Sequence, residues 1–150
     1  YSRYIVGYCF YETLETDGPL AALEMAVECY NSFGIAIGEH TIHHSDRGVQ
    51  YTSAAYVKVL KGMRIQISMT QTGDPLHNAM AERVNNTVKN EWMFNTGELL
   101  FMAAAISIDN AIMMYNKARP HQGIGMKTPY EMMTGKADNP LLTPQSNCKL

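Results

Sequence analysis

The chain has 150 residues, 46% of them apolar and 17% charged. That is the size and composition of one globular domain with a real core, and it argues against a disordered or low-complexity chain. A formal charge of −2 gives no global signature of a nucleic-acid binder, and three widely spaced cysteines without a CxxC pair argue against a zinc ribbon or a disulfide framework. The charge is uneven: residues 1–40 carry one basic and six acidic side chains, residues 41–150 eleven basic and eight acidic.

In chain order, residues 4–11 (YIVGYCFY) are β-branched and aromatic and predict a strand. Thr16-Asp17-Gly18-Pro19 predicts a turn and a helix start, with Asp17 or Gly18 near the N-cap and Pro19 near N1. The helix over residues 20–31 leaves Glu24 and Glu28 on one face. Gly34 and Gly38 mark a loop, and Thr41 to Ser45 predicts a short strand ending at Asp46. Thr52 or Ser53 can cap a helix over Ala54 to Lys61, with Gly62 as its stop. Residues 64–69 alternate polar and apolar, the pattern of a half-buried strand. After a loop over Thr70 to Pro75, a helix is expected from about Leu76 to Trp92. A second, capped by Thr96, is expected to run to about Lys117 and end at Arg119-Pro120; Thr128-Pro129 starts a last short helix that Gly135 stops. This order of elements predicts an α/β layer architecture. The longest apolar run, Leu99 to Ile106, is too short to span a bilayer, so no membrane contact is expected, and the few, unpaired cysteines point to a reducing cytoplasm.

Two acids stand where chemistry could use them. Asp46 ends a strand, a common ligand position in α/β sheets, and Glu82 follows 36 positions later on the helix after the next strand. Carboxylates converging from those elements suit magnesium, which takes oxygen ligands and is held by one or two carboxylates. Two such ions, about 3.5–4 Å apart, would clamp an in-line phosphoryl displacement. Spacing alone leaves a plainer reading open, an N-capping Asp and a surface Glu. On the helix, Met80, Ala81, Val84, Val88 and Trp92 form a stripe expected to face the core, with Glu82, Asn86 and Lys89 on the opposite ridge. That ridge suits a metal beside a DNA backbone, as it would a solvated face; Glu91 falls at the apolar angle, which fits only if the helix ends or bends there. Arg47 is placed to reach phosphate or to make a structural ion pair, Gly48 to permit a tight turn, and Tyr51 and Thr52 to pack and cap. Glu39, His40, His43 and His44 lie on a strand and loop rather than at helical metal spacing, so His44 is expected to pack beside Asp46 or bond its backbone. Met102, Met113 and Met114 read as core filler and Trp92 as a core residue.

The segments HSDRGVQYTS, SMTQTGDPLHNAMAERVNNTVKNEW and YNKARPHQGIGMKTPYEM, following SRYIVGY, closely resemble the DDE-type integrase core of bacterial insertion-sequence transposases, related to retroviral integrases. The resemblance runs from SRYIVGY to about Gly135, in the family's order and spacing, with 35 residues between Asp46 and Glu82 and a basic residue, Lys89, seven beyond. It implies a ribonuclease-H-like fold, a three-layer mixed sheet flanked by helices, with residues 1–135 as catalytic core and 136–150 as tail. It further implies DNA cleavage and strand transfer at transposon ends with a two-metal Mg2+ or Mn2+ site, Asp46 and Glu82 being two of three metal-binding catalytic acids. Lys89, Asn86, Arg47, Arg119 and His121 would contact DNA, although ending a helix and fixing a loop is the simplest physical role for Tyr115 to His121. A homo-oligomer in the bacterial cytoplasm, associated with the nucleoid, is also implied.

Two departures from the family pattern matter. His77-Asn78-Ala79 stands where many members have Asp-Asn-Ala. The family's first acid lies on a strand upstream of SRYIVGY, and neither Glu12, Glu15 nor Asp17 replaces it. The first strand or strands and the upstream helical DNA-binding domain are therefore expected to be absent here, and this fragment alone to be inactive. Alternatives are a non-catalytic remnant serving DNA docking or dimerisation, and a ribonuclease-H-like nuclease that cuts without joining.

Overall fold

The computed structural model of the chain describes residues 1–10, 16–70, 79–92 and 101–136. They divide into two compact units, Val6–Val84 and Tyr1–Ile5 with Asn85–Leu150. The first unit holds α1 (Asp17–Ser32), β1 (Ile42–Ser45), α2 (Val49–Thr52), α3 (Ala54–Gly62) and β2 (Gln66–Met69). α1 starts earlier than its apolar pattern suggests, with Thr16 rather than Asp17 or Gly18 at the N-cap; the Thr16 side chain makes no capping bond, and its carbonyl accepts the Leu20 N–H at 3.1 Å. Pro19 is tolerated in the first turn, where N–H groups have no intrahelical acceptor. Glu24 and Glu28 are both exposed.

β1 and β2 pair in parallel, Ile42 opposite Gln66 through Ser45 opposite Met69. Parallel strands require a crossover, here supplied by α2 and α3. Ser53 caps α3 by accepting the Tyr56 N–H at 3.2 Å. The stop differs from expectation: the left-handed residue is Arg64, with φ of 56°, rather than Gly62. An exposed arginine there costs about 1–2 kcal/mol, and the reversal it makes turns Ile65 into the core at 6% exposure. Leu23, Tyr56, Leu60 and Ile65 form that core, with Leu20, Ile37, Tyr51, Val59, Met63 and Ile67 packed against it.

The expected strand over residues 4–11 does not form within its described part, residues 4–10. A strand needs a backbone neighbour, and these residues have other partners. Asn116 accepts the Ile5 N–H through Oδ1 at 2.8 Å and donates Nδ2 to the Ile5 carbonyl at 3.0 Å, so one buried side-chain amide bonds both peptide groups of Ile5. Gly7 lies against α1 so closely that a methyl there would meet the Ala22 carbonyl oxygen.

α4 (Ala79–Trp92) begins in the first unit and continues past Val84 into the second, which also holds α5 (Phe101–Lys117), a 3-10 turn (Gln122–Ile124) and α6 (Pro129–Thr134). α5 buries Ala111, Ile112, Tyr115 and Asn116, a stripe at helical spacing. α6 packs on α5 with Pro129 fully buried, and Lys117 Nζ lies 5.5 Å from the centre of the Tyr130 ring. Thr128 and Glu131 form a reciprocal capping box, and Gly135 ends the helix with φ of 70°. The expected starts at Leu76 and Thr96 and the tail beyond Lys136 lie outside the described residues. No described helix is long and apolar enough to cross a membrane.

Candidate active site

Asp46 follows directly on buried Ser45 at the C-terminal end of β1 and is exposed. Its Oδ1 accepts the Gly48 N–H at 2.9 Å. The carboxylate itself thus makes the turn, as short acidic side chains do, and Gly48, with φ of −54°, uses none of the left-handed freedom expected of it. Oδ2 has no hydrogen-bond partner among the described residues. The turn is tied to the end of β2: the Thr70 N–H bonds the Ser45 carbonyl at 3.0 Å, and Arg47 Nε donates to the Thr70 carbonyl at 3.1 Å.

Behind the acid lies a ring cluster. His43 Nε2 is 2.9 Å from the Tyr56 hydroxyl, and Tyr51 stands 6.1 Å from the His43 ring and 5.6 Å, edge-on, from Tyr56. Burial lowers the His43 pKa below its usual value, and the neighbouring His44 adds to that, while a backbone hydrogen bond opposes it. Burial, then Tyr51, pushes Tyr56 up to about 12. Tyr51 is raised by burial and by the Asp46 charge, which puts its phenol within the field of the acid. His44 Nδ1 lies 2.9 Å from Oγ of its cross-strand partner Ser68. Glu39 meets Arg64 at 3.4 Å, both exposed.

Glu82 sits exposed in the first turn of α4, in the same unit as Asp46, and its carboxylate has no hydrogen-bond or ion-pair partner among the described residues. The inward stripe is carried by buried Val88 and half-buried Val84, whereas Ala81, in the first turn, is exposed. The side chains of Met80, Glu91, Trp92 and Lys89 lie outside the described parts, as does His77. Asn86 is exposed one turn beyond Glu82, in the second unit. Arg119 and His121 are in that unit too, with Nη1 3.3 Å from Nδ1 and the His121 ring 4.7 Å from Tyr115. The sequence-predicted residues therefore divide: Asp46, Arg47 and Glu82 in one unit, Asn86, Lys89, Arg119 and His121 in the other.

Asp46 and Glu82 each present an exposed carboxylate with oxygen free of partners among the described residues, the donor chemistry that a hard divalent cation takes. Among the described residues no group of three or more His, Cys, Asp or Glu gathers at one place. Sequence reasoning missed the ring cluster and the Asn116–Ile5 clamp. The first had a signal: Tyr56 and Leu60 are four apart on a helix capped by Ser53, so both face inward.

Residues 1–75 match a family profile described as integrase core domain, and residues 63–129 match a second profile of the same description. The chain belongs to the integrase core domain family. It is 31% identical over 137 residues to a putative transposase for insertion sequence element IS986/IS6110 of Mycobacterium tuberculosis (strain ATCC 25177 / H37Ra), covering 88% of this chain and 48% of that protein. It spans less than half the length of the curated transposases it matches. Among solved structures, a chain of the simian T-cell lymphotropic virus intasome in complex with PP2A regulatory subunit B56 gamma superposes with a TM-score of 0.62 at 15% identity, covering 93% of this chain and 46% of that one. The HTLV-2 integrase catalytic core in complex with magnesium gives 0.53 at 14% identity, covering 81% and 71%. The fold of this integrase core is ribonuclease-H-like.

Proposed function

We propose that this chain is the metal-binding part of an insertion-sequence transposase, and that Asp46 and Glu82 are two of the three carboxylates of its catalytic centre. Family membership and the parallel β1–β2 pair that presents Asp46 at its C-terminal end support this reading. The observation that carries it is an exposed Asp46 whose one oxygen is fixed by Gly48 while the other is uncommitted. Preorganised, half-satisfied carboxylates are what an oxygen-ligated cation requires. Mg2+ or Mn2+, as a pair, would activate water or a DNA 3′-hydroxyl toward a phosphodiester and neutralise developing charge.

The chain's own residues do the positioning. Gly48 N–H sets the rotamer of Asp46, Arg47 holds the turn to Thr70, and the remaining guanidinium N–H groups are available to a phosphate. Glu82 projects from the first turn of α4, and Asn86, Lys89, Arg119 and His121 are assigned to the DNA backbone, contacts that set register rather than read bases. Residues 1–135 are assigned to the catalytic part, in which Asp46 and Glu82 supply two of three acids. Transposon ends and target DNA are the substrates, the assembly is a homo-oligomer, and the setting is the bacterial cytoplasm at the nucleoid.

The test is strand transfer by the complete transposase on transposon-end DNA. Asp46→Asn and Glu82→Gln should each abolish magnesium-dependent joining while DNA binding persists. Normal joining by either variant would remove that residue from the site, and cleavage without any joined product would identify a nuclease.

A further inference from the structure

We infer that Tyr51 is the positioning residue of Asp46: its ring, packed against His43 and Tyr56, seats α2 and through Gly48 fixes the carboxylate that faces the metal. The inference rests on the reading of Asp46 as a metal ligand.

α2 has four residues, too few to be stable by its own hydrogen bonds. Its side chains give it little else to stand on, since Val49 is 77% exposed and Thr52 is also exposed. Tyr51 is the α2 residue that joins the core, in contact with the cluster of Leu23, Tyr56, Leu60 and Ile65. Its backbone N–H bonds the Gly48 carbonyl at 3.0 Å, and the Gly48 N–H bonds Asp46 Oδ1 at 2.9 Å. The residue that receives Tyr51 is thus the residue that holds the acid. Tyr56, at 2% exposure, and His43, bonded to it at 2.9 Å, form a rigid wall for the Tyr51 ring. The Thr52 N–H and Oγ1 also bond the Gly48 carbonyl, each at 3.2 Å, but Thr52 is exposed. Removing the ring therefore takes away the side-chain packing that anchors this turn on the core and loosens the hold of Gly48 on the carboxylate. The Tyr51 hydroxyl has no hydrogen bond among the described residues, so the ring and not the phenol carries the effect.

Two measurements on the 150-residue chain test this. Mn2+ affinity, read by electron paramagnetic resonance, should fall about tenfold in Tyr51→Ala, roughly 1.4 kcal/mol, and stay at the wild-type value in Tyr51→Phe. In metal-free protein, hydrogen exchange at the Gly48 amide should accelerate in Tyr51→Ala and not in Tyr51→Phe. If Tyr51→Ala does not fold, Tyr51→Leu takes its place, with the same expectation. A folded variant with a lowered melting temperature but unchanged Mn2+ affinity and Gly48 exchange would make Tyr51 a packing residue only and overturn the inference. Equal weakening in Tyr51→Phe would also overturn it, moving the effect to the hydroxyl. Asp46→Asn is the control: unchanged Mn2+ affinity there removes the metal reading, whereas the Gly48 exchange result still decides whether Tyr51 sets the turn.

Discussion

Asp46 and Glu131 both stand beside the start of a short helix and both accept a backbone N–H, yet they end in opposite situations. Glu131 is half-buried and its bond is returned: its Oε2 accepts the Thr128 N–H at 2.8 Å while Thr128 Oγ1 accepts the Glu131 N–H at 3.1 Å. Asn116 closes a similar reciprocal pair with Ile5. Asp46 is exposed and its bond to Gly48 is one-sided, with the second oxygen uncommitted. The region of α5 and α6 spends its polar side chains on closing the backbone. The turn after β1 holds one back. A carboxylate oriented but not exhausted can still ligate.

The sharpest way to break this contrast is to neutralise each acid in turn. Asp46→Asn should reduce strand transfer by the complete transposase on the order of 1,000-fold or more, the scale of losing a metal-held charge. Glu131→Gln should leave it near wild type, because glutamine also closes a capping box. A large loss from Glu131→Gln with the fold intact would end the distinction.

Next in size is the clamp. Asn116→Ala leaves the Ile5 N–H and carbonyl without their partner and should cost about 2–3 kcal/mol, read as a lower midpoint in urea unfolding of this chain. A smaller effect is expected from Glu131→Ala or Thr128→Ala, about 1 kcal/mol each. Their double variant should cost little more than either alone if the two bonds form one unit.

The smallest effect depends on pH. His43 resists protonation in the fold because of burial, so its folded pKa lies below its unfolded one. At pH above the unfolded value, about 6.5, both states are neutral and the full stability is present. As pH falls below it the unfolded chain takes up the proton and stability drops, levelling once the folded pKa is passed. His43→Gln should flatten that decline in a thermal melt series between pH 7 and 5. An unchanged slope would shift the effect to other groups.

Local punctuation was readable from the sequence because it obeys local rules. Ser53 and Thr128 cap as expected, Gly135 stops α6, and β1 ends at Asp46. Asp46 and Glu82 were singled out by spacing and the family resemblance, and strand transfer by their variants is what tests them. What escaped were choices made by distant partners. The strand propensity of YIVGYCFY is genuine, but strand formation requires a backbone neighbour, and Ile5 instead meets an amide 111 positions away. Gly62 looked like the helix stop, yet the need to turn Ile65 inward moved the reversal to Arg64. Gly48 looked like the maker of the tight turn, a task the carboxylate two residues earlier already performs.

Gly7 carries a consequence for genetics. A methyl group there meets the Ala22 carbonyl oxygen first, then the Ala26 N–H. Both obstacles are main chain, which every residue type shares. A search for second-site suppressors of Gly7→Ala should therefore return no compensating side-chain change at position 22; only revertants or changes that shift α1 as a body would restore the fit.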